Sequence, residues 1–285
     1  MPISAGAVRN LQEKDLRVLH ALERLMKRYQ WVPLEVLRKG ADLGEKETSY
    51  RLTRLLSLGM AKYEKVPYDG YALVFTGFDA IALEALSRKG TVASLGPFIG
   101  EGKESVVYEG LGVGRLVLKF HRVGQRSFQA ARVKRSYLPG EGHLPWIFAS
   151  ARSAEREFLA LQTLHPNVSV PVPVERNRHV VVMSFLPGTN LSRCSPENPA
   201  AMLDAILLQV REAYRLGVIH GDLSEFNVMV DGDRPYLIDW PQWVETGHPN
   251  ARETLERDLR VILGYFSRKH GIEEPLARAL GVVTS

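Results

Sequence analysis

The chain has 285 residues, 45% hydrophobic and 24% charged, enough for one large globular domain or two ordinary ones with their own cores. Its single cysteine, Cys194, excludes an internal disulfide and a cysteine-built metal cluster, and no apolar run approaches the roughly 18 residues of a membrane-spanning helix. The net charge of +5 is concentrated at the front, where residues 1–90 carry 15 Lys/Arg against 11 Asp/Glu, an excess that suits a polyanionic partner.

Residues Asp15–Tyr29 place Leu16, Leu19, Leu22, Leu25, Met26 and Tyr29 on one helical stripe. Pro33 suits the first position of a short second helix containing Val36 and Leu37. A third helix over Glu45–Leu58 is expected to bury Tyr50, Leu52, Leu55 and Leu56 and to expose Lys46, Arg51 and Arg54. Strands Met60–Tyr63 and Tyr71–Thr76 flank Asp69-Gly70, a hairpin-turn signal, and Ala80–Arg88 closes the unit as a helix. Three helices and a β-ribbon describe a winged helix-turn-helix domain over residues 1–90, whose third helix and wing commonly touch nucleic acid. Lys46, Arg51, Arg54, Lys62 and Lys65 are then the candidate contacts. A protein-binding or purely structural winged helix stays open as the other reading.

Thr91–Pro97 reads as a junction. After it, Gly100-Glu101-Gly102-Lys103-Glu104-Ser105 lies between apolar segments, with strands at Val106–Tyr108 and Leu116–Leu118. Glycines admit backbone N–H groups close to phosphates, and Lys103 and Ser105 add donors. Gly100, Gly102, Lys103, Glu104, Ser105 and Val106 are therefore a candidate phosphate-side set. Ser105 stands where protein kinases carry a third glycine, so the match to their loop is incomplete. Lys119 follows the apolar strand where a kinase places its phosphate-gripping lysine. On a helix over Ser153–Leu164, packed through Phe158, Leu161 and Leu164, Glu157 is preferred to Glu155 as that lysine's partner. Arg122–Ala149 is a long insert holding Arg122, Arg126, Arg132, Lys134 and Arg135, with no acidic residue from Gly110 through Gly140. It is expected to be mobile alone and to order on RNA or ATP. Val180–Pro187 reads as a strand running into a hinge, with Met183 lining a pocket and Ser184 and Phe185 offering backbone groups to adenine.

The densest motif is Val218–Trp240. Asp222 is followed five residues later by Asn227, and twelve after that by Asp239. Val228–Val230 and Tyr236–Ile238, separated by the turn-prone Asp231-Gly232-Asp233, read as a buried hairpin whose ends meet, so Asn227 and Asp239 come side by side. Phosphoryl transfer from ATP needs that trio: a carboxylate for the nucleophile's proton, and an Asn and an Asp for the metal. Beyond it, Arg252–Phe266 is a helix packing Leu255, Leu259, Ile262, Leu263 and Phe266, with Arg257, Asp258 and Arg260 as a structural ion-pair set.

His220-Gly221-Asp222 with Asn227 resembles the protein-kinase catalytic loop, and Asp239 the Asp of its metal-binding segment. Together GEGKES, HGDLSEFNVMV and IDWPQ resemble the RIO family of atypical kinases, and the winged helix points to its second, Rio2-type subfamily. The resemblance runs from about Asp15 to about His270. It implies an α+β chain in which the winged helix precedes a trimmed bilobal kinase-like domain over residues 91–285, with an N-lobe to about 184, a hinge at 184–188 and a C-lobe after it. Only 46 residues follow Asp239, which suits a domain lacking the activation segment and substrate-binding helices. The family implies ATP with Mg²⁺ (or Mn²⁺), Asp222 as catalytic Asp, Asn227 and Asp239 as metal ligands, Lys119 on the phosphates, and an aspartyl-phosphate at Asp239. It also implies autophosphorylation, for which Ser127 is the candidate and Ser136 the second, and work as an ATPase switch in maturation of the small ribosomal subunit. The partners would be that subunit's precursor RNA and proteins, reached through the winged helix and basic insert by a cytoplasmic, membrane-free monomer. Gly221 replaces a common Arg, and Trp240-Pro241 replaces Phe-Gly, a change expected to stiffen the segment after Asp239. The alternative is a small-molecule kinase of the aminoglycoside or choline type, which shares the HGDL…N…IDW signature.

Overall fold

The computed structural model describes residues 5–124 and 146–285. They form two compact units, one of residues 1–154 with 176–180 and one of 155–175 with 181–285. Arg126, Ser127, Arg132, Lys134, Arg135 and Ser136 lie outside the described residues.

The first unit opens with helices α1 (Ala5–Arg9), α2 (Glu13–Leu25), α3 (Leu34–Ala41), α4 (Glu45–Ser57) and α5 (Phe75–Arg88). Three strands, β1 (Val32–Pro33), β2 (Ala61–Lys65) and β3 (Asp69–Leu73), pair antiparallel in the order β1-β3-β2. This is the expected winged-helix arrangement, with two local departures. The wing turns at Val66–Tyr68, where Val66 N–H donates to Tyr68 O at 3.1 Å, and Asp69 pairs with Lys65 inside the ribbon. Asp69-Gly70 is therefore strand rather than turn. Gly70 is needed there because a Cβ would lie 2.8 Å from Trp31 Cβ.

The second departure concerns charge. The buried face of α2 runs through Val18, Leu19 and Leu22 and also includes Asp15, which is 0% exposed. Asp15 Oδ2 accepts from Gln12 N–H at 2.9 Å, capping the helix, and from Arg54 Nε at 3.0 Å. Arg51 Nη1 adds an ion pair to Asp15 Oδ1 at 3.4 Å, and its Nε binds Glu47 at 2.7 Å. The expectation for α4 is thus reversed at two positions, while Leu52 and Leu55 are buried and Lys46 is exposed as expected. Arg51 is buried at 8% exposure while Tyr50 is exposed at 60%, because the buried carboxylate of α2 draws the guanidinium inward.

Strands β4 (Ser94–Glu101), β5 (Ser105–Gly112) and β6 (Gly114–His121) form an antiparallel meander in which Lys119 lies opposite Val107. The expected junction at Thr91–Pro97 is partly strand, since β4 begins at Ser94. At the end of β6, Arg122 is not an available cation of the basic insert. Its Nη2 donates to Asp79 Oδ2 of α5 at 2.6 Å, and its guanidinium lies 4.8 Å over the Phe75 ring. His179 Nε2 meets the other oxygen, Asp79 Oδ1, at 2.7 Å, and its ring stacks on Phe78 at 4.4 Å. This buried cluster ties α5 to the meander.

Helix α6 (Trp146–Leu164) begins ahead of the expected Ser153, and hairpin strands β7 (Pro173–Asn177) and β8 (Val180–Ser184) follow. The second unit then holds β9 (Thr189–Asn190), α7 (Pro199–Arg215), β10 (Val218–Ile219), β11 (Val228–Asp231), β12 (Arg234–Leu237), β13 (Val244–Glu245), α8 (Ala251–His270) and α9 (Leu276–Thr284). Asn198 caps α7 by accepting from Ala201 N–H at 3.0 Å, with Pro199 at the first helical position. Hairpin β11–β12 pairs Asp231 with Arg234 across Gly232 (φ +59), as the sequence led one to expect. Leu255, Leu259, Ile262, Leu263 and Phe266 of α8 are buried. Among the described residues, no helix is long and apolar enough to cross a membrane.

Burial holds His179 well below the usual imidazole range, at about 4. A lowered folded pKa means the unfolded chain binds the proton first, so this stability is full above about 6.5 and is lost as pH falls toward 4. Denaturant titrations are expected to show a loss on the order of 2–3 kcal/mol over that window, absent in His179→Gln. In the winged helix, Arg51→Ala is expected to destabilise by about 1–3 kcal/mol and Lys46→Ala by under about 0.5, measured by urea unfolding.

Candidate functional site

The acidic half of the candidate site is built at the open end of the β11–β12 hairpin. Because the strands are in register to their ends, Ile238 N–H donates to Asn227 O at 3.0 Å, which places Asn227 and Asp239 on neighbouring chain segments. Asn227 Nδ2 donates to Asp222 O at 2.8 Å and approaches Asp222 Oδ2 at 3.5 Å. The amide nitrogen is thereby committed, and Oδ1 is the Asn227 atom with capacity for a cation. Asp222 is exposed on its loop, and Asp239 is half-buried with a left-handed φ of +68. The structure therefore brings Asp222, Asn227 and Asp239 together as the spacing suggested.

His220, signalled in the sequence only by its place in the loop motif, has a role that spacing alone does not suggest. It is 5% exposed, and its Nε2 donates to Ile238 O at 3.0 Å while Nδ1 accepts from Asp222 N–H at 3.3 Å. Only a neutral imidazole can accept at one nitrogen and donate at the other, and burial lowers the His220 pKa in that direction. The ring lies 4.3 Å from that of Trp240. One side chain thus fixes the main chain beside both Asp222 and Asp239.

Asp258 was read as part of a structural ion-pair set, and the structure gives it a more specific task. It is 2% exposed, and its Oδ2 accepts from Gly221 N–H at 2.7 Å, while Arg257 Nη2 donates to Gly221 O. Burial raises the Asp258 pKa. Gly221 itself has φ +81, and a Cβ there would lie 2.4 Å from Gln242 O, so neither the conformation nor the space admits a larger residue. Asn190 supports the same loop, donating from Nδ2 to Phe226 O at 2.6 Å. Of the two carboxylates weighed on α6, Glu157 is 1% exposed and Glu155 is exposed, and Glu157 Oε1 accepts from Trp240 N–H at 3.4 Å.

The phosphate-side candidates lie in the first unit. Gly100 and Glu101 end β4, Ser105 and Val106 begin β5, and Gly102 N–H closes the turn on Ser105 O at 2.9 Å. Lys103 and Glu104 are exposed at its tip, and Lys119 is 7% exposed on β6. Met183 is buried on β8. Ser184 departs from expectation: its N–H donates to Val172 O and its Oγ accepts from Val172 N–H, both at 2.9 Å. That amide is therefore not available to adenine, because the end of β8 already pairs with the chain preceding β7. Phe185, beyond the strand, is half-buried.

The oxygen donors Asn227 Oδ1 and Asp239 suit a hard divalent cation such as Mg²⁺, which binds through one or two carboxylates plus ligand phosphates. Among the described residues, no cluster of three His, Cys, Asp or Glu competes as a self-sufficient metal cage.

The carboxylate loop and Asn–Asp hairpin of the second unit, and the glycine-bearing turn and strand lysine of the first, are each in their own unit the features of a protein-kinase-like phosphotransferase. A family model of the RIO domain matches residues 105–278, and one of the Rio2 N-terminal domain matches residues 8–89. The chain is 39% identical over 252 residues to the RIO-type serine/threonine-protein kinase Rio2 of Methanocaldococcus jannaschii, covering 85% of this chain and 92% of that one. To serine/threonine-protein kinase rio2 of Schizosaccharomyces pombe it is 33% identical, covering 94% and 80%. The crystal structure of a Rio2 kinase–ADP/Mg²⁺–phosphoaspartate complex from Chaetomium thermophilum matches with a TM-score of 0.84 at 32% identity, covering 99% of this chain and 89% of that one. The chain belongs to the RIO family and carries the N-terminal domain of its Rio2 branch. The expected α+β class, a winged helix followed by a kinase-like domain, is borne out.

Asp258→Asn is expected to lower ATP turnover roughly tenfold or more, since the hydrogen bond between Gly221 N–H and a charged acceptor becomes a neutral one. Single-turnover assays beside circular dichroism separate that loss from unfolding.

Proposed function

We propose that this chain is an ATP-dependent atypical serine/threonine kinase and ATPase that acts as a switch in maturation of the small ribosomal subunit. The observation that carries the phosphotransfer reading is the joining of Asp222, Asn227 and Asp239 through the neutral His220. In this reading Asn227 Oδ1 and the Asp239 carboxylate hold Mg²⁺, or Mn²⁺ on the same oxygens. The cation, when bound, neutralises charge on the phosphates. Lys119 and the turn carrying Gly100, Gly102, Lys103 and Ser105 contribute positive charge and N–H donors to those phosphates. Asp222 aligns the attacking group and takes its proton when that group is a hydroxyl or water.

In the switch cycle, an Asp239 carboxylate oxygen forms a bond to the γ-phosphorus as the bond to the β–γ bridging oxygen breaks, and ADP leaves. Water then attacks the acyl phosphate, its proton passing to Asp222, and inorganic phosphate departs with Asp239 restored. The phosphoaspartate in the Chaetomium thermophilum complex supports this step.

The ribosomal role rests on the family resemblance and on the cations left exposed in the winged helix. Lys46 and Lys62 are exposed, Lys62 lying 4.7 Å over the Trp31 ring, and both suit RNA phosphates. Lys65 shares its charge with Asp69 at 2.8 Å, and Arg51 and Arg54 are engaged by Asp15, so these three are weaker candidates. Partners in this reading are precursor rRNA and ribosomal proteins, met by a cytoplasmic monomer.

The test follows γ-labelled ATP with Mg²⁺, alone and with small-subunit precursor particles, for wild type, Asp222→Ala and Asp239→Asn. Particle-stimulated phosphate release is expected, with transient base-labile label on the protein that Asp239→Asn abolishes and turnover at least about 100-fold lower in Asp222→Ala. Label passing to an amino-sugar or alcohol would instead establish a small-molecule kinase. ATP binding without any transfer would refute phosphotransfer.

A further inference from the structure

Asp239 occupies the left-handed region at φ +68, which Asp visits more readily than most residues with a Cβ but still at a cost that its surroundings must offset. The chain before it is fixed by the bonds of Ile238 to Asn227 and His220. The chain after it is fixed by two consecutive residues of α6. Glu157 accepts from Trp240 N–H at 3.4 Å, while Arg156 Nε donates to Pro241 O at 3.2 Å and its Nη2 donates to Trp243 O. Trp243 replies by donating its indole Nε1–H to Arg156 O at 2.9 Å, and the guanidinium lies 5.3 Å over the indole ring. Arg156 forms no ion pair with any described residue. Both of its bonded donors go to main-chain carbonyls, so its task is to hold backbone rather than to balance a carboxylate.

We propose that Arg156, with Trp243, is a positioning residue that locks segment 240–243 onto α6 and so holds the Asp239 carboxylate in its cation-binding orientation. The inference rests on the phosphotransfer reading above. Negative φ remains the favoured state even for Asp, so with the segment released the residue would shift toward it and turn its carboxylate away. Arg156 is exposed, so its removal leaves neither a cavity nor a buried charge, and the fold is expected to persist.

The experiment is a Mg²⁺ titration of ATP turnover and of ADP binding in wild type, Arg156→Ala, Arg156→Lys and Trp243→Ala, with ADP binding also measured in EDTA. Arg156→Ala and Trp243→Ala are expected to raise the Mg²⁺ needed for half-maximal turnover roughly tenfold, with ADP affinity in EDTA unchanged. Arg156→Lys, which keeps one carbonyl contact, should fall between them and wild type, and it carries the test if the alanine variant does not fold. A Mg²⁺ dependence equal to wild type in all three variants would overturn the inference, as would loss of ADP affinity in EDTA by the same factor as in Mg²⁺. A wild type whose nucleotide binding and turnover ignore Mg²⁺ would overturn the phosphotransfer reading itself, and the inference with it.

Discussion

A buried imidazole with two different hydrogen bonds can serve as a rigid spacer only while it stays neutral. His220 meets that condition because burial disfavours its charged form, leaving Nδ1 to accept from Asp222 N–H and Nε2 to donate to Ile238 O. The loop of Asp222 and the segment of Asp239 are therefore set against each other by one side chain. Protonation would place a hydrogen on Nδ1, where the Asp222 amide already points, and break the first contact. The rest of the acidic cluster follows from this constraint. Asp258 and Arg257 grip the peptide groups on either side of Gly221, and Gly221 must be glycine because the Gln242 carbonyl occupies the space a Cβ would need.

The first unit uses buried carboxylates in a related way, to organise cations. Asp15 collects Arg51 and Arg54 from α4, and Asp79 collects Arg122 and His179 from the meander and the β7–β8 turn. Each pair removes arginine charge from the surface and converts it into packing. A front segment that looks rich in cations for an acidic partner thus has fewer to offer than its composition suggests. Lys46 and Lys62 are the candidates that remain exposed, with no ion pair to a carboxylate among the described residues.

The segment following Asp239 shows stiffness arising from more than one source. Pro241 restricts its own φ, as its ring requires. Most of the restraint comes from elsewhere. Trp240 is fully buried with its indole N–H on Leu237 O at 3.1 Å, and α6 holds the next residues through Glu157, Arg156 and Trp243. The segment is thus tethered at three successive points, and the backbone beside Asp239 has little freedom left.

How much was legible beforehand depended on whether local spacing or distant partners decided the outcome. Val228–Val230 and Tyr236–Ile238 around Gly232 sufficed for the hairpin, and hairpin geometry alone brought Asn227 to Asp239. The helices of the winged helix, the glycine-bearing turn and the strand position of Lys119 also follow from periodicity and turn chemistry over a few residues. What the sequence by itself could not decide were contacts between residues far apart in the chain. Arg51 and Tyr50 exchanged places because Asp15 lies beneath α4, and the wing turned at Val66–Tyr68 with Asp69-Gly70 paired inside the ribbon. The Ser184 amide was already bonded to Val172, and Asp258, Arg156 and Trp243 became positioning residues only where α8 and α6 meet the loops. Local patterns report what a segment prefers by itself; which donor meets which buried acceptor is settled only by tertiary packing, since desolvation makes an unmatched polar group costly.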